Sequence, residues 1–203
     1  MITIVDYGMG NLGSIHNMLK KIGVASVVSA DPAAIAEAHK LILPGVGAFD
    51  AGMEQLERSS LAPVLRERVQ ERGVPILGTC LGMQLMTRRS EEGHRPGLGW
   101  IDADAVRFTT TDAALKIPHM GWNLVVPRQS AALVDELPEE SRFYFVHSFH
   151  VRCRCDDDVL LTSRHGEEFH SAFHRDNVWG VQFHPEKSHR FGMKLLRNFA
   201  ERC

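Results

Sequence analysis

Along the first half of the chain, short apolar runs stop at glycine-bearing turns and give way to helix-forming sequence. Ile2–Val5 leads into Gly8, Gly10 and Gly13 and then into Leu12–Ile22, where Leu12, Ile15, Leu19 and Ile22 recur at helical spacing. Leu41–Leu43 ends at Pro44-Gly45-Val46-Gly47, and Val74–Leu77 ends at Gly78-Thr79-Cys80-Leu81-Gly82. Between them lies Ala25–Ser29, stopped by Asp31-Pro32, and helical patterns fall at Met53–Leu56, Leu61–Val69 and Met83–Thr87. Uniformly apolar strands are buried on both faces, and the intervening helices are the crossovers that parallel pairing needs. The expected fold is therefore α/β, a mostly parallel sheet flanked by helices. In such a sheet the strand-to-helix turns gather at the carboxyl edge, where open α/β folds bind ligands.

The second half reads differently. Trp100–Phe108, Phe143–Val151, Val159–Ser163, Phe169–Phe173 and Val178–Phe183 are strand-like runs in near succession, which adds antiparallel strands to the sheet. His189–Glu201 follows as a helix with Phe191, Leu195, Leu196 and Phe199 on one face. With 203 residues and no repeat or linker, residues 1–203 are expected to form a single domain. A net charge of −2 argues against a nucleic-acid partner, and no apolar stretch is long enough to span a membrane. The N-terminus lacks the basic region and the small-residue cleavage site of a secretory signal, so none is expected. Four cysteines are too few for a disulfide framework in a chain of this size, so a reducing, cytoplasmic setting is expected. There a cysteine can serve as a nucleophile.

In Gly78-Thr79-Cys80-Leu81-Gly82 a buried strand meets a helix through Gly-x-Cys-x-Gly, the cysteine counterpart of a nucleophile elbow. Small flanking residues permit the sharp turn that projects the nucleophile from the sheet edge. The helix N-terminus favours thiolate over thiol and aims the Leu81 amide where an oxyanion develops. Such a cysteine needs a base, and the base needs an orienting group. Val178–Phe183 ends in His184-Pro185-Glu186, where proline keeps the backbone extended and sets imidazole and carboxylate on one side. Pro44–Gly47 ends a neighbouring strand at the same edge, with glycine amides available to an oxyanion.

Gly78–Gln84 taken with His184-Pro185-Glu186 resembles the class I, or triad-type, glutamine amidotransferases, in which a cysteine attacks the side-chain amide of glutamine to give a thioester and ammonia. Ile117–Asn123 and Phe143–Ser148 narrow the resemblance to the branch of glutaminase subunits that serve imidazole glycerol phosphate synthase in histidine biosynthesis. The similarity runs in order from Asp6–Asn11 through Pro44–Gly47 to the last helix. The resemblance implies a flavodoxin-like fold with Cys80 as nucleophile, His184 as acid and base, and Glu186 as its orienting partner. It also implies oxyanion amides at Gly47 and Leu81, and glutamine contacts at Gln84, Glu92 and Ser148. Asn11, Trp122, Asn123, Tyr144 and Lys187 would lie at or near the face that meets a separate cyclase subunit in a heterodimer, and no metal or organic cofactor would be required. Two stretches depart from the pattern. His150 stands where a tyrosine is common, and Ser188–Gly192 is similar to paralogous subunits that feed ammonia to synthases of nitrogen-bearing surface sugars. The partner stays open between those two pathways.

Other chemistries fit less of the sequence. Gly8-x-Gly10-x-x-Gly13 with Asp31 matches a dinucleotide fingerprint, but Asp6-Tyr7 sets a charged and a bulky residue where that motif packs apolar ones. That reading also leaves the cysteine elbow and His184-Pro185-Glu186 without a role. His170 and His174 have metal-ligand spacing only on a helix; on a strand they stand roughly 13 Å apart. Cys153 and Cys155 have no second ligand pair near them in sequence. A cysteine peptidase could use the elbow and the histidine, whereas a non-enzymatic binding module would need neither.

Overall fold

The apolar runs of the first half pair side by side as the core of one sheet. The computed structural model describes residues 1–109 and 115–203. Its first half comprises β1 (Ile2–Val5), α1 (Leu12–Lys21), β2 (Ser26–Ser29), α2 (Pro32–Ala36), β3 (Leu41–Gly45), α3 (Phe49–Arg58), α4 (Leu61–Arg66), β4 (Ile76–Cys80) and α5 (Leu81–Leu85). The second half adds β5 (Arg89–Ser90), β6 (Ala103–Arg107), β7 (His119–Leu124), β8 (Val126–Pro127), β9 (Arg142–His147), β10 (Phe149–Cys153), β11 (Val159–His165), β12 (Glu167–Arg175), β13 (Val178–Val181) and α6 (His189–Arg202).

Strands β2-β1-β3-β4-β13 lie in that order, all parallel. Strands β12, β10, β6 and β5 continue the sheet, antiparallel from β13 to β6. The chain leaves β1 for β2 on one side and returns to β3 on the other, which makes a topological switch point between β1 and β3.

Alternation along β3 and β4 explains the continuous apolar runs. Leu41, Leu43 and Ile76 join one core with Phe49, Met53, Leu56, Leu61 and Leu65 of α3 and α4. Ile42 and Leu77 join the opposite core with Ile15 and Leu19 of α1 and Leu195, Leu196 and Phe199 of α6. Each fully buried aliphatic side chain contributes about 1.5–3 kcal/mol, so both helical layers are required.

The structure departs from the sequence-based expectation in three places. Phe143–Val151 reads as one strand but breaks at Ser148: β9 pairs with β7 in a separate two-stranded sheet, and β10 pairs with β6 and β12 in the main one. The Ser148 carbonyl at this break accepts the Phe108 amide at 3.1 Å. Strand β7 was not expected, because Met120, Trp122 and Leu124 face outward and no apolar run marks it. Helix α2 was also missed; Asp31 caps it by accepting from the Ala33 amide at 3.0 Å, with Pro32 at the first position. His170 and His174 both fall on β12, where His170 Nδ1 accepts the Cys153 amide and His174 stacks on Trp179 with centroids 3.4 Å apart.

Candidate active site

Strand β4 delivers Cys80 at its last position with φ +53°, a conformation that a side-chain-bearing residue adopts only under local strain. The flanking glycines make the turn possible. A Cβ at Gly82 would strike the Leu43 carbonyl, and one at Gly78 would meet the Gly82 carbonyl oxygen and Met83 nitrogen at 2.8 Å. Strand β3 and helix α5 therefore close to backbone contact beside the nucleophile. Cys80 is 8% exposed, and that opening leads into a cavity of about 280 Å³. The volume is near the small end of ligand pockets, which run from roughly 300 Å³ upward, and suits an amino-acid-sized molecule.

Strand β13 leads into His184, the candidate base, which lines the same cavity. His184 Nδ1 lies 2.9 Å from Glu186 Oε1, with both side chains almost fully buried. A carboxylate oxygen only accepts, so Nδ1 carries the proton and Nε2 is left for chemistry. Nε2 is buried and has no hydrogen-bond partner among the described residues. Burial works against a charged ring here, but the Cys80 sulfur and the Glu186 carboxylate outweigh it and raise the His184 pKa to about 9. Ser188 fixes the segment: its hydroxyl donates to the His184 carbonyl at 2.6 Å and accepts the Tyr144 amide at 3.0 Å.

Gly47, Leu81, Gln84, Glu92 and Ser148 all line the cavity with Cys80 and His184. Gly47 has φ +105°, and Leu81 opens α5 directly after the nucleophile. Glu92 has a second engagement, since its Oε2 accepts the Phe49 amide at 2.8 Å and so binds the start of α3 to the cavity wall. The Gln84 amide nitrogen is committed inside the protein, donating to the Phe149 carbonyl and to Gln182 Oε1, each at 3.0 Å. Its contact with a ligand is thereby limited to its own oxygen.

Sequence reasoning missed Tyr7 and Gln182. The buried Tyr7 hydroxyl donates to the Pro44 carbonyl at 2.7 Å. Gly10, at φ +107°, lies so close to Pro44 that a Cβ there would come within 3.0 Å of the ring. Gly10 thus packs directly against Pro44 near the end of β3, whereas Gly8 faces Gln55 and Gly13 has nothing within 4 Å. Gln182 is fully buried, with Nε2 3.9 Å from Cys80 Sγ.

On the outer surface, Trp122 stacks on His189 with centroids 5.5 Å apart, meets the edge of Tyr144 at 6.2 Å, and Lys187 Nζ lies 5.8 Å from the Tyr144 ring. Asn123 turns inward instead, donating to the Arg164 carbonyl and contacting His119. Asn11 is exposed at the start of α1 and makes no side-chain cap.

A family model described as glutamine amidotransferase class-I matches residues 3–203. The chain belongs to the class-I glutamine amidotransferases. It is 52% identical over 201 residues to imidazole glycerol phosphate synthase subunit HisH 2 of Pseudomonas aeruginosa, covering 99% of each chain. It is also 52% identical over 203 residues to the subunit HisH 2 of Methanococcus maripaludis, covering both chains in full. The HisH subunit of Bdellovibrio bacteriovorus is 46% identical over 203 residues, covering 99% of this chain and 100% of that one. Among solved structures, a glutamine amidotransferase superposes with a TM-score of 0.76 at 19% identity, over 99% of this chain and 98% of the other. This amidotransferase therefore has the fold of its class, a parallel sheet extended by antiparallel strands.

Proposed function

We propose that the chain is the glutaminase subunit of an imidazole glycerol phosphate synthase, releasing ammonia from glutamine for a separate cyclase subunit in histidine biosynthesis. The observation that carries the reading is Cys80 on its strained elbow, sharing one small cavity with the His184–Glu186 pair. Full-length identity to subunits of that name supports the pathway.

The geometry supports the following steps. Cys80 thiolate adds to the glutamine amide carbon, and the oxyanion forms against the amides of Gly47 and Leu81. His184, protonated on Nε2, passes that proton to the leaving nitrogen, and ammonia departs as the thioester forms. His184 Nε2 then takes a proton from water, whose oxygen attacks the thioester carbon; glutamate leaves and the Cys80 sulfur is restored. Glu186 holds Nδ1 throughout and stabilises the imidazolium. Glu92, Ser148 and the Gln84 oxygen hold the substrate. The ammonia passes to a cyclase subunit docked in a heterodimer on the face bearing Trp122, Tyr144 and Lys187, with Asn11 at its margin. Asn123 supports that face from within.

The test is to purify the chain with its native partner, supply glutamine, and identify both the released glutamate and the molecule aminated. An imidazole-forming ribonucleotide acceptor supports the proposal. An aminated nucleotide sugar moves the chain to the paralogous pathway to which Ser188–Gly192 is similar. Glutamate release that survives Cys80→Ala removes the proposal altogether.

A further inference from the structure

The middle of the molecule holds a line of polar side chains in which His119, His147 and Gln182 have no part in the steps above. Strands β7 and β9 pair with His119 directly opposite His147, and His119 Nδ1 lies 2.9 Å from His147 Nε2. Both rings are buried among Phe108, Phe145 and Phe169. The protons on this pair follow from their partners. His147 Nδ1 is 2.8 Å from the Phe149 carbonyl, which only accepts, so Nδ1 carries a hydrogen. Burial holds the His147 pKa well below 6.5 and that of His119 down at about 4, so each ring is neutral. His147 Nε2 is therefore bare and accepts from His119 Nδ1–H. His119 Nε2 in turn accepts from Asn123 Nδ2 at 3.1 Å.

The line continues past Phe149. The same carbonyl accepts Gln84 Nε2 at 3.0 Å, Gln84 Nε2 also donates to Gln182 Oε1 at 3.0 Å, and Gln182 Nε2 points at Cys80 Sγ from 3.9 Å. Each amide orientation is fixed by its neighbours, because turning over Gln84 would set oxygen against the Phe149 carbonyl. Turning over Gln182 would set oxygen against the sulfur.

We propose that this chain, Asn123–His119–His147–Phe149–Gln84–Gln182, holds the Cys80 sulfur for reaction and ties it to strand β7, with Gln182, His147 and His119 as positioning residues. The inference rests on Cys80 being the glutaminase nucleophile. Gln182 supplies the sulfur with a fixed donor, and the histidine pair fixes the carbonyl from which that donor is ultimately held. The outer side of β7 carries the exposed Met120 and Trp122, so one strand has the nucleophile's support on one face and the candidate partner surface on the other.

The test measures Cys80 alkylation by iodoacetamide across pH, alongside glutaminase kcat and KM, in the complex with its partner. Gln182→Met keeps the volume and removes the donor; alkylation near neutral pH and kcat should each fall about tenfold, with KM within twofold. His147→Phe should lower kcat severalfold, and His147→Asn, whose amide can still reach the Phe149 carbonyl, should restore most of it. A purely structural role lowers stability in both His147 variants and leaves kcat and alkylation unmoved, which would overturn the proposal. Should the variants not fold, nitrogen-15 NMR of the unsubstituted protein decides: both His119 and His147 must be Nδ1–H tautomers, and an Nε2–H form at either breaks the chain. Alkylation that depends on Gln182 in a protein without glutaminase activity would keep the hold of Gln182 on the sulfur and remove the glutaminase reading on which its catalytic meaning rests. The converse pattern would do the opposite.

Discussion

Replacing Tyr7 by phenylalanine removes one oxygen atom and leaves a buried ring in place, so its effect isolates the bond to Pro44. That bond is 2.7 Å long and fully enclosed. Burial, reinforced by negative charge on the Cys80 sulfur, raises the Tyr7 phenol above its ordinary pKa of 10.0, so it is a protonated donor throughout the working range. Losing a neutral hydrogen bond costs about 1 kcal/mol, and a carbonyl left without its donor raises the loss to roughly 1–3 kcal/mol. For a chain of 203 residues this corresponds to a fall in Tm of roughly 2–10 °C. Urea unfolding should show a lower midpoint at unchanged slope, because the surface exposed on unfolding is the same. Since Pro44 lies near the end of β3, three residues before Gly47, glutaminase kcat should also fall severalfold. A Tyr7→Phe protein that loses under about 0.5 kcal/mol and keeps full kcat would show that the hydroxyl does not set the oxyanion strand.

Two glycines make a paired comparison: Gly82→Ala at the elbow drives a Cβ into the Leu43 carbonyl and should cost at least about 1–3 kcal/mol with loss of activity, whereas Gly13→Ala in α1, with nothing within 4 Å, should be nearly neutral by both measures. Stability should peak near pH 6.5. His184, whose folded pKa of about 9 exceeds its unfolded value, gives stability that is complete below 6.5 and lost as pH rises through 9. His119 and His150, held by burial at about 4, destabilise the fold as pH falls from 6.5 toward 4, by at most roughly 1.4 kcal/mol per pH unit for each group. Urea midpoints from pH 4.5 to 9.5 check both limbs, and a flat profile above 6.5 would contradict the His184 assignment. Trp122→Ala should leave the isolated chain within about 1 kcal/mol of its original stability and, if the proposed cyclase subunit docks on this face, weaken its binding by about 2 kcal/mol or more, read by calorimetry.

The parts of the site that were legible in sequence are those built within a few residues. Gly78–Gly82 carries its own elbow chemistry, and His184 and Glu186 are joined by the proline between them. Strands β1, β3 and β4 are buried along their whole length because both of their faces are covered, so the centre of the sheet could be read before any contact was known. What escaped depends on distant pairing. Tyr7 reaches across 37 residues to Pro44, Gln84 across 98 to Gln182, and Gln182 across 102 to Cys80. His119 and His147 meet only because β7 and β9 pair in that register. The break at Ser148 was invisible for a related reason: apolar residues on either side serve different sheets, and periodicity records burial without saying against what.

A strand from the second half of the chain, β13, turns the Cys80 elbow into a paired site. Strand β13 lies parallel to β4 with Val181 opposite Thr79, which sets the next residue, Gln182, level with Cys80. Because side chains alternate across a sheet, Val181 and Phe183 enter the core shared by α1 and α6, and Gln182 and His184 fall on the side of the sulfur. A slip of one residue would exchange the two sets, bringing valine and phenylalanine to the nucleophile and burying an imidazole among leucines. The register is held from the other flank as well, where β12 pairs antiparallel with β13, Ala172 opposite Val181, and the Ser171 carbonyl accepts the Gln182 amide at 2.9 Å. The distance between base and nucleophile is therefore set by backbone pairing on both sides of β13. That is why strands far from the cavity shape the candidate site as much as the residues that line it.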